Sequence, residues 1–170
     1  MIAKEPVDGH SPISFRGLLV IPPLEDGVLP EGVHECTFEE LELAFGQFQR
    51  SNRRVSLTAK LKVYVEEASR SGLVVAVMID GSFVTAKDEP EDIDLIVVLK
   101  SDVNWESLRP FEYNAVSKRM IKQMYRFDAH VYVDGSELYQ KMLNFFMRVN
   151  PDKNHGLTER THKGVLRVQV

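Results

Sequence analysis

One cysteine and one tryptophan occur among the 170 residues, and no apolar run approaches the ~20 residues that a membrane-spanning helix needs. A lone Cys36 excludes an internal disulfide and a cysteine-ligated zinc, which makes a reducing compartment the expectation. Positive charge is not in excess: 21 Lys and Arg against 25 Asp and Glu leave a net charge of −4 and a pI near 5.8. That balance argues against a broad electrostatic footprint for nucleic acid, while leaving room for a local basic groove. The first residues, MIAKEPVDGHSPISF, lack the apolar core of a signal peptide, so a cytoplasmic protein without membrane association is expected. The G-x-x-x-x-G-K-[ST] loop that cradles a triphosphate in P-loop enzymes is missing too. No internal repeat, low-complexity tract or long linker divides the chain.

What is present is ordinary globular material, 44% apolar and 27% charged, in the amount one domain needs. Residues 1–35, rich in Pro and Gly, read as an extended N-terminal arm, with LLVI at 18–21 as a short strand. Residues 36–170 read as a single domain. Thr37 followed by Glu40 is a capping box, which predicts a helix from Phe38 with Leu41, Ala44, Phe45 and Phe48 on one face. After the polar break SNRR, a second helix is expected over 56–69, stopped by Ser71-Gly72. LVVAVMI (73–79) and DLIVVL (94–99) are apolar throughout, as strands covered on both faces are. A helix over 113–124 is expected after a break at Pro110. FDAHVYV (127–133) alternates, with Phe127, Ala129, Val131 and Val133 facing one way and Asp128, His130 and Tyr132 the other. Ser136 caps a helix running to about Val149, and KGVLRVQV forms a last strand. The implied fold class is α/β (α+β), a small mixed sheet flanked by helices.

Between the two aliphatic strands lies IDGSFVTAKDEPEDIDL, where Asp88, Glu89, Glu91, Asp92 and Asp94 crowd against the start of a buried strand. Crowded carboxylates repel one another and lose hydration near a sheet interior, so the arrangement is costly unless a cation shares the space. Asp92 and Asp94, two residues apart on a strand, face the same side. Oxygen ligands of this kind suit a hard ion such as Mg²⁺ or Mn²⁺, and Asp128 on a neighbouring strand can supply a third. Gly81-Ser82 follows the first strand, where glycine admits a close ligand and a serine hydroxyl can bond a phosphate oxygen.

Strand, Gly-Ser, nine residues, Asp-x-Asp-Leu on a buried strand and a later strand Asp together resemble the nucleotidyltransferase superfamily that includes DNA polymerase beta and small bacterial nucleotidyltransferases. The matching span is about 73–133; LPEGVHECTFEEL and KGVLRVQV also look similar to small bacterial nucleotidyltransferase-like proteins. The resemblance implies that Gly81 and Ser82 hold the phosphates of a nucleoside triphosphate such as ATP. It implies that Asp92, Asp94 and Asp128 bind divalent metal and activate an acceptor hydroxyl on RNA, protein or a small molecule. Family members commonly carry an arginine and a second glycine shortly after the Gly-Ser, where this chain has Phe83-Val84-Thr85-Ala86-Lys87. Lys87 is the candidate replacement as a phosphate contact.

The alternative is a nucleotidyltransferase fold without turnover, acting as a nucleotide sensor or with a partner protein. Asp88, Glu89 and Glu91 read as solvated loop charges, and Asp80 as a turn residue. His130 reads either as a ligand contact or as a hydrogen-bonded structural histidine. Lys118, Arg119, Lys122, Lys163 and Arg167 read as exposed cations, and Cys36 as structural.

Overall fold

The computed structural model describes residues 21–47, 52–151 and 158–170. Five strands form one mixed sheet: β1 (Gly32–Cys36), β2 (Val74–Asp80), β3 (Asp94–Leu99), β4 (Asp128–Val133) and β5 (Gly164–Gln169), in the spatial order β1-β5-β2-β3-β4. β1 runs parallel to β5 and β3 parallel to β4, while β2 is antiparallel to both of its neighbours. The helices are α1 (Phe38–Phe45), α2 (Asn52–Ser71), α3 (Pro110–Val116), α4 (Lys118–Tyr125) and α5 (Glu137–Phe146). The expected class, a mixed sheet flanked by helices, is what the chain adopts. Among the described residues no helix is long and apolar enough to cross a membrane.

The aliphatic character of β2 and β3 follows from cover on both faces. On one face Val77, Ile79, Leu95, Val97, Phe127 and Leu166 pack against residues of α1 to α4, among them Leu41, Leu61, Tyr64 and Ile121. On the other face Ala76, Met78, Ile96, Val98 and Val165 meet Tyr139, Leu143 and Phe146 of α5. The apolar cluster of this second layer stops short of Asp80, Asp94 and Asp128, which continue the same face at one end of the sheet. That end is where β2 stops and where β3 and β4 start.

Several elements depart from the sequence expectation. The last residues of the expected arm are strand β1, in register with β5 from Gly32↔Gly164 to Cys36↔Val168, so the sheet extends across the 35/36 boundary. Upstream of β1, Glu25-Asp26-Gly27-Val28 closes a tight turn through Glu25 N–H to Val28 O (2.8 Å), with Asp26 and Gly27 both at positive φ, the conformation Asp-Gly favours in type I′ turns. Of the expected strand at 18–21, all but Ile21 lies outside the described residues, and Ile21 is not strand; Phe48 lies outside them as well. α2 already includes Asn52, because Arg53 and Arg54 are helical rather than a break. Pro110 begins a helix instead of interrupting one, since a first-turn proline sacrifices no intrahelical bond. The backbone at Ser117, extended at ψ 113°, then splits the expected 113–124 helix into α3 and α4. α5 ends at Phe146, three residues before Val149. Thr37 and Glu40 form the predicted capping box, and Ser136 caps α5 by accepting the Tyr139 N–H.

Candidate functional site

Strand register builds the centre of the site. Asp80 is the cross-strand partner of Asp94, and Asp94 is the partner of Asp128, so three adjacent strands carry an aspartate at the same level. Directly opposed residues point to one face, and for all three it is the face that α5 covers further along. Ile93, fully buried in the opposite core, precedes Asp94, which faces away from that core, and Asp92 lies two residues before the strand begins. Asp92 and Asp94 are half-buried and Asp128 is exposed at the sheet edge. The Asp128 N–H donates to the Ile93 carbonyl (3.1 Å), tying the start of β4 to the entry of β3.

Asp80 is the buried member of the row, at 6% exposure. Its carboxylate accepts a hydrogen bond and ion pair from the Lys163 ammonium, which arrives from the residue before β5. Burial pushes the Asp80 carboxyl up to about 6 in spite of Lys163, and the Asp94 charge adds to that rise. Lys163 is therefore a buried counter-charge and not the exposed cation expected, and Asp80 belongs to the row and not merely to a turn.

Gly81 follows at φ 81°, ψ −166°, a conformation that side chains resist. A Cβ there would strike the Asp94 carboxylate, so the acid lies directly against the glycine backbone. Ser82 opens a single 3-10 turn (Ser82–Val84) whose Phe83 and Val84 are buried, while Ser82 itself is half-buried. The Thr85 hydroxyl donates to the Ser82 carbonyl (2.8 Å) and closes the turn.

Two arginines at the start of α2 hold the loop that joins Gly81 to Asp94. Arg54, at 0% exposure, donates to the carbonyls of Phe45 (3.1 Å), Phe83 (2.6 Å), Thr85 (2.9 Å) and Lys87 (2.5 Å). Arg53 donates to the carbonyls of Pro90 (3.1 Å) and Glu91 (3.0 Å). Burial lowers the Arg54 guanidinium to about 10, a shift that the Asp88 charge opposes; it stays protonated at neutral pH. The arm contributes as well, since the Ala86 N–H donates to the Gly27 carbonyl (2.8 Å).

Gly81, Ser82, Asp92, Asp94 and Asp128 are thus gathered at one end of the sheet. Lys87, half-buried, enters through its backbone carbonyl on Arg54. Lys118, Arg119 and Lys122 are exposed on α4, the helix that packs on the opposite face. The His130 ring packs edge-on against Phe146, 5.9 Å between centroids. Arg167 bonds Glu35 (3.2 Å), and Cys36 is buried, its thiol pushed up to about 12 by desolvation and by Glu40. The donor set of the row is carboxylate oxygen, half-buried at Asp94 and exposed at Asp128, which is the chemistry a hard divalent ion takes. Among the described residues, no three of His, Cys, Asp and Glu are drawn together as a metal-holding group.

The sequence expectation gave Asp80 to a turn, Lys163 to the surface and Arg53 and Arg54 to a polar break, and none of the four to the site. For the arginines a signal existed: two cations in the first turn of a helix oppose its dipole, so something other than the helix has to reward them, here six carbonyl acceptances. No such local signal marks Lys163. No curated protein and no solved structure matches the chain. The family described as a family of unknown function, DUF6932, matches residues 22–169, and the chain belongs to it.

Proposed function

We propose that the protein is a metal-dependent nucleotidyltransferase that moves a nucleoside monophosphate from a nucleoside triphosphate to a hydroxyl acceptor. The observation that supports it is the aspartate row Asp80, Asp94 and Asp128 in strand register, with the Asp94 carboxylate pressed against Gly81 at the head of the Gly-Ser turn. In this reading the turn at Gly81 and Ser82 receives the phosphates, with Lys87 beside it. Asp92, Asp94 and Asp128 would hold Mg²⁺ or Mn²⁺, which would supply neutralisation of the triphosphate charge. Asp128, exposed on the edge strand, takes the proton of the acceptor hydroxyl as its oxygen bonds to the α-phosphorus. The bond from that phosphorus to the bridging oxygen breaks, and pyrophosphate leaves. Asp80 is neutralised by Lys163 and serves to seat Asp94. A cytoplasmic location, where nucleoside triphosphates are abundant, belongs to the same proposal.

A second reading, a nucleotide-binding protein without turnover that works as a sensor or with a partner protein, draws on the absence of a convergent three-acid group among the described residues. One experiment separates the two. The protein is incubated with each labelled nucleoside triphosphate, Mg²⁺ or Mn²⁺ and a cell extract as acceptor source, and melting is followed in parallel with metal and triphosphate, alone and together. Transfer of label to RNA, protein or a small molecule, lost in Asp94→Asn, supports the enzyme. A joint thermal shift without transfer supports the sensor. Absence of both refutes the site.

A further inference from the structure

The loop between β2 and β3 is held from beneath by two side chains of one helix, and the pattern of bonds has a consequence for the amides of the loop. A trans peptide is planar, with its C=O and the following N–H pointing in opposite directions, and no cis peptide occurs among the described residues. Arg54 draws the carbonyls of Phe83, Thr85 and Lys87 toward α2. The N–H groups of Val84, Ala86 and Asp88 are therefore turned away from α2. Arg53 does the same at Pro90 and Glu91, turning the N–H groups of Glu91 and Asp92 outward. One guanidinium thus orients the Gly-Ser turn, and its neighbour orients the approach to Asp92 and Asp94.

We propose that Arg53 and Arg54 are positioning residues for triphosphate binding: by collecting the carbonyls of Phe83, Thr85, Lys87, Pro90 and Glu91 on the α2 side, they fix the Gly81–Ser82 turn and the Asp92–Asp94 entry in one relative geometry. The inference rests on the reading of that turn as a phosphate site. Neither arginine touches the ligand. Their effect is transmitted through backbone, which is why the donors have to be guanidinium groups: Arg54 serves four carbonyls from one planar fork, and a lysine ammonium has three donors to offer. The buried position of Arg54 keeps these bonds out of competition with water.

The test uses the full chain, with Arg54→Lys as the conservative variant and Arg53→Gln as the milder one, since Arg53 is exposed and its loss leaves the core intact. Amide hydrogen exchange is measured without nucleotide, and MgATP affinity is measured by calorimetry well below the melting temperature of each variant. Expected are faster exchange confined to residues 82–92 and MgATP affinity lowered by roughly 10-fold in Arg54→Lys, equivalent to about 1.4 kcal/mol, and by roughly 3-fold in Arg53→Gln. A merely structural arginine would lower the melting temperature and leave the affinity of the folded protein unchanged. If wild type binds MgATP and both variants bind it equally well, the assignment of the arginines is overturned while the phosphate site stands. Should Arg54→Lys fail to fold, Arg53→Gln alone decides by the same criterion. If wild type itself does not bind MgATP, the phosphate reading falls and the inference falls with it.

Discussion

Replacing Gly81 by alanine isolates the packing of Asp94 on the Gly81 backbone. The backbone there sits at φ 81°, ψ −166°, a region nearly reserved for glycine, where a side chain costs about 1–3 kcal/mol. The new Cβ would also meet the Asp94 carboxylate, which must leave its rotamer at a further cost of about 0.5–1.5 kcal/mol. The two contributions together predict a loss of roughly 1.5–4.5 kcal/mol, or about 3–18 °C in Tm for a domain of this size. Gly72 is the control: it lies at φ 66° with nothing within 4 Å of an added Cβ, so Gly72→Ala should cost only the left-handed penalty of about 1–2 kcal/mol. Denaturant unfolding in EDTA would compare Gly81→Ala, Gly72→Ala, Asp94→Ala and the Gly81→Ala/Asp94→Ala double variant. Trimming Asp94 removes the collision but not the φ cost, so the double variant should recover about 0.5–1.5 kcal/mol relative to additivity. If Gly81→Ala costs no more than Gly72→Ala, and the double variant is additive, the packing of Asp94 on Gly81 is not what the geometry indicates.

Three further outcomes are expected. Asp94→Asn should abolish nucleotidyl transfer yet leave the protein in EDTA no less stable than wild type, because it relieves repulsion with Asp80; Glu91→Gln, an exposed neighbour, should match wild type in both, and a clear stability loss for Asp94→Asn with transfer intact would return Asp94 to a structural role. Burial raises Asp80 from its ordinary 3.8 to about 6, so between about pH 4 and 6 the folded state holds a proton that the unfolded state has released. Wild type should therefore lose stability relative to Asp80→Asn as pH rises through that window and run parallel to it outside, and a constant difference across pH 4–7 in thermal unfolding would contradict the buried environment. Cys36, buried with its thiol pushed up to about 12, should resist a thiol-specific reagent at neutral pH until denaturant is added, whereas immediate stoichiometric reaction would show that the start of α1 is open.

The features legible in the sequence are those whose cause lies within a few residues. The capping box of Thr37 and Glu40, the alternation that separates Phe127 and Ala129 from Asp128, and the aliphatic run of β3 depend on periods of two or four and on local hydrogen bonds, and the structure has each where those rules put it. The conformational need for glycine after β2 is of the same kind. β1 lacked a signal of comparable length: five residues between Pro30-Glu31 and a helix cap are strand only because β5 offers a partner from the far end of the chain. Which aspartates stand together is likewise a matter of register among β2, β3 and β4, and no spacing along the chain encodes that Asp80 opposes Asp94 or that Asp94 opposes Asp128. Lys163 looks like any surface cation when read among its sequence neighbours, and the place of Arg54 in the first turn of a helix does not say what it binds. They become a buried counter-charge and a buried carbonyl clamp only when β5 is laid beside β2 and α2 beneath the loop, because desolvation, which decides whether a charge must be paired, is a property of the packed surroundings and not of the chain.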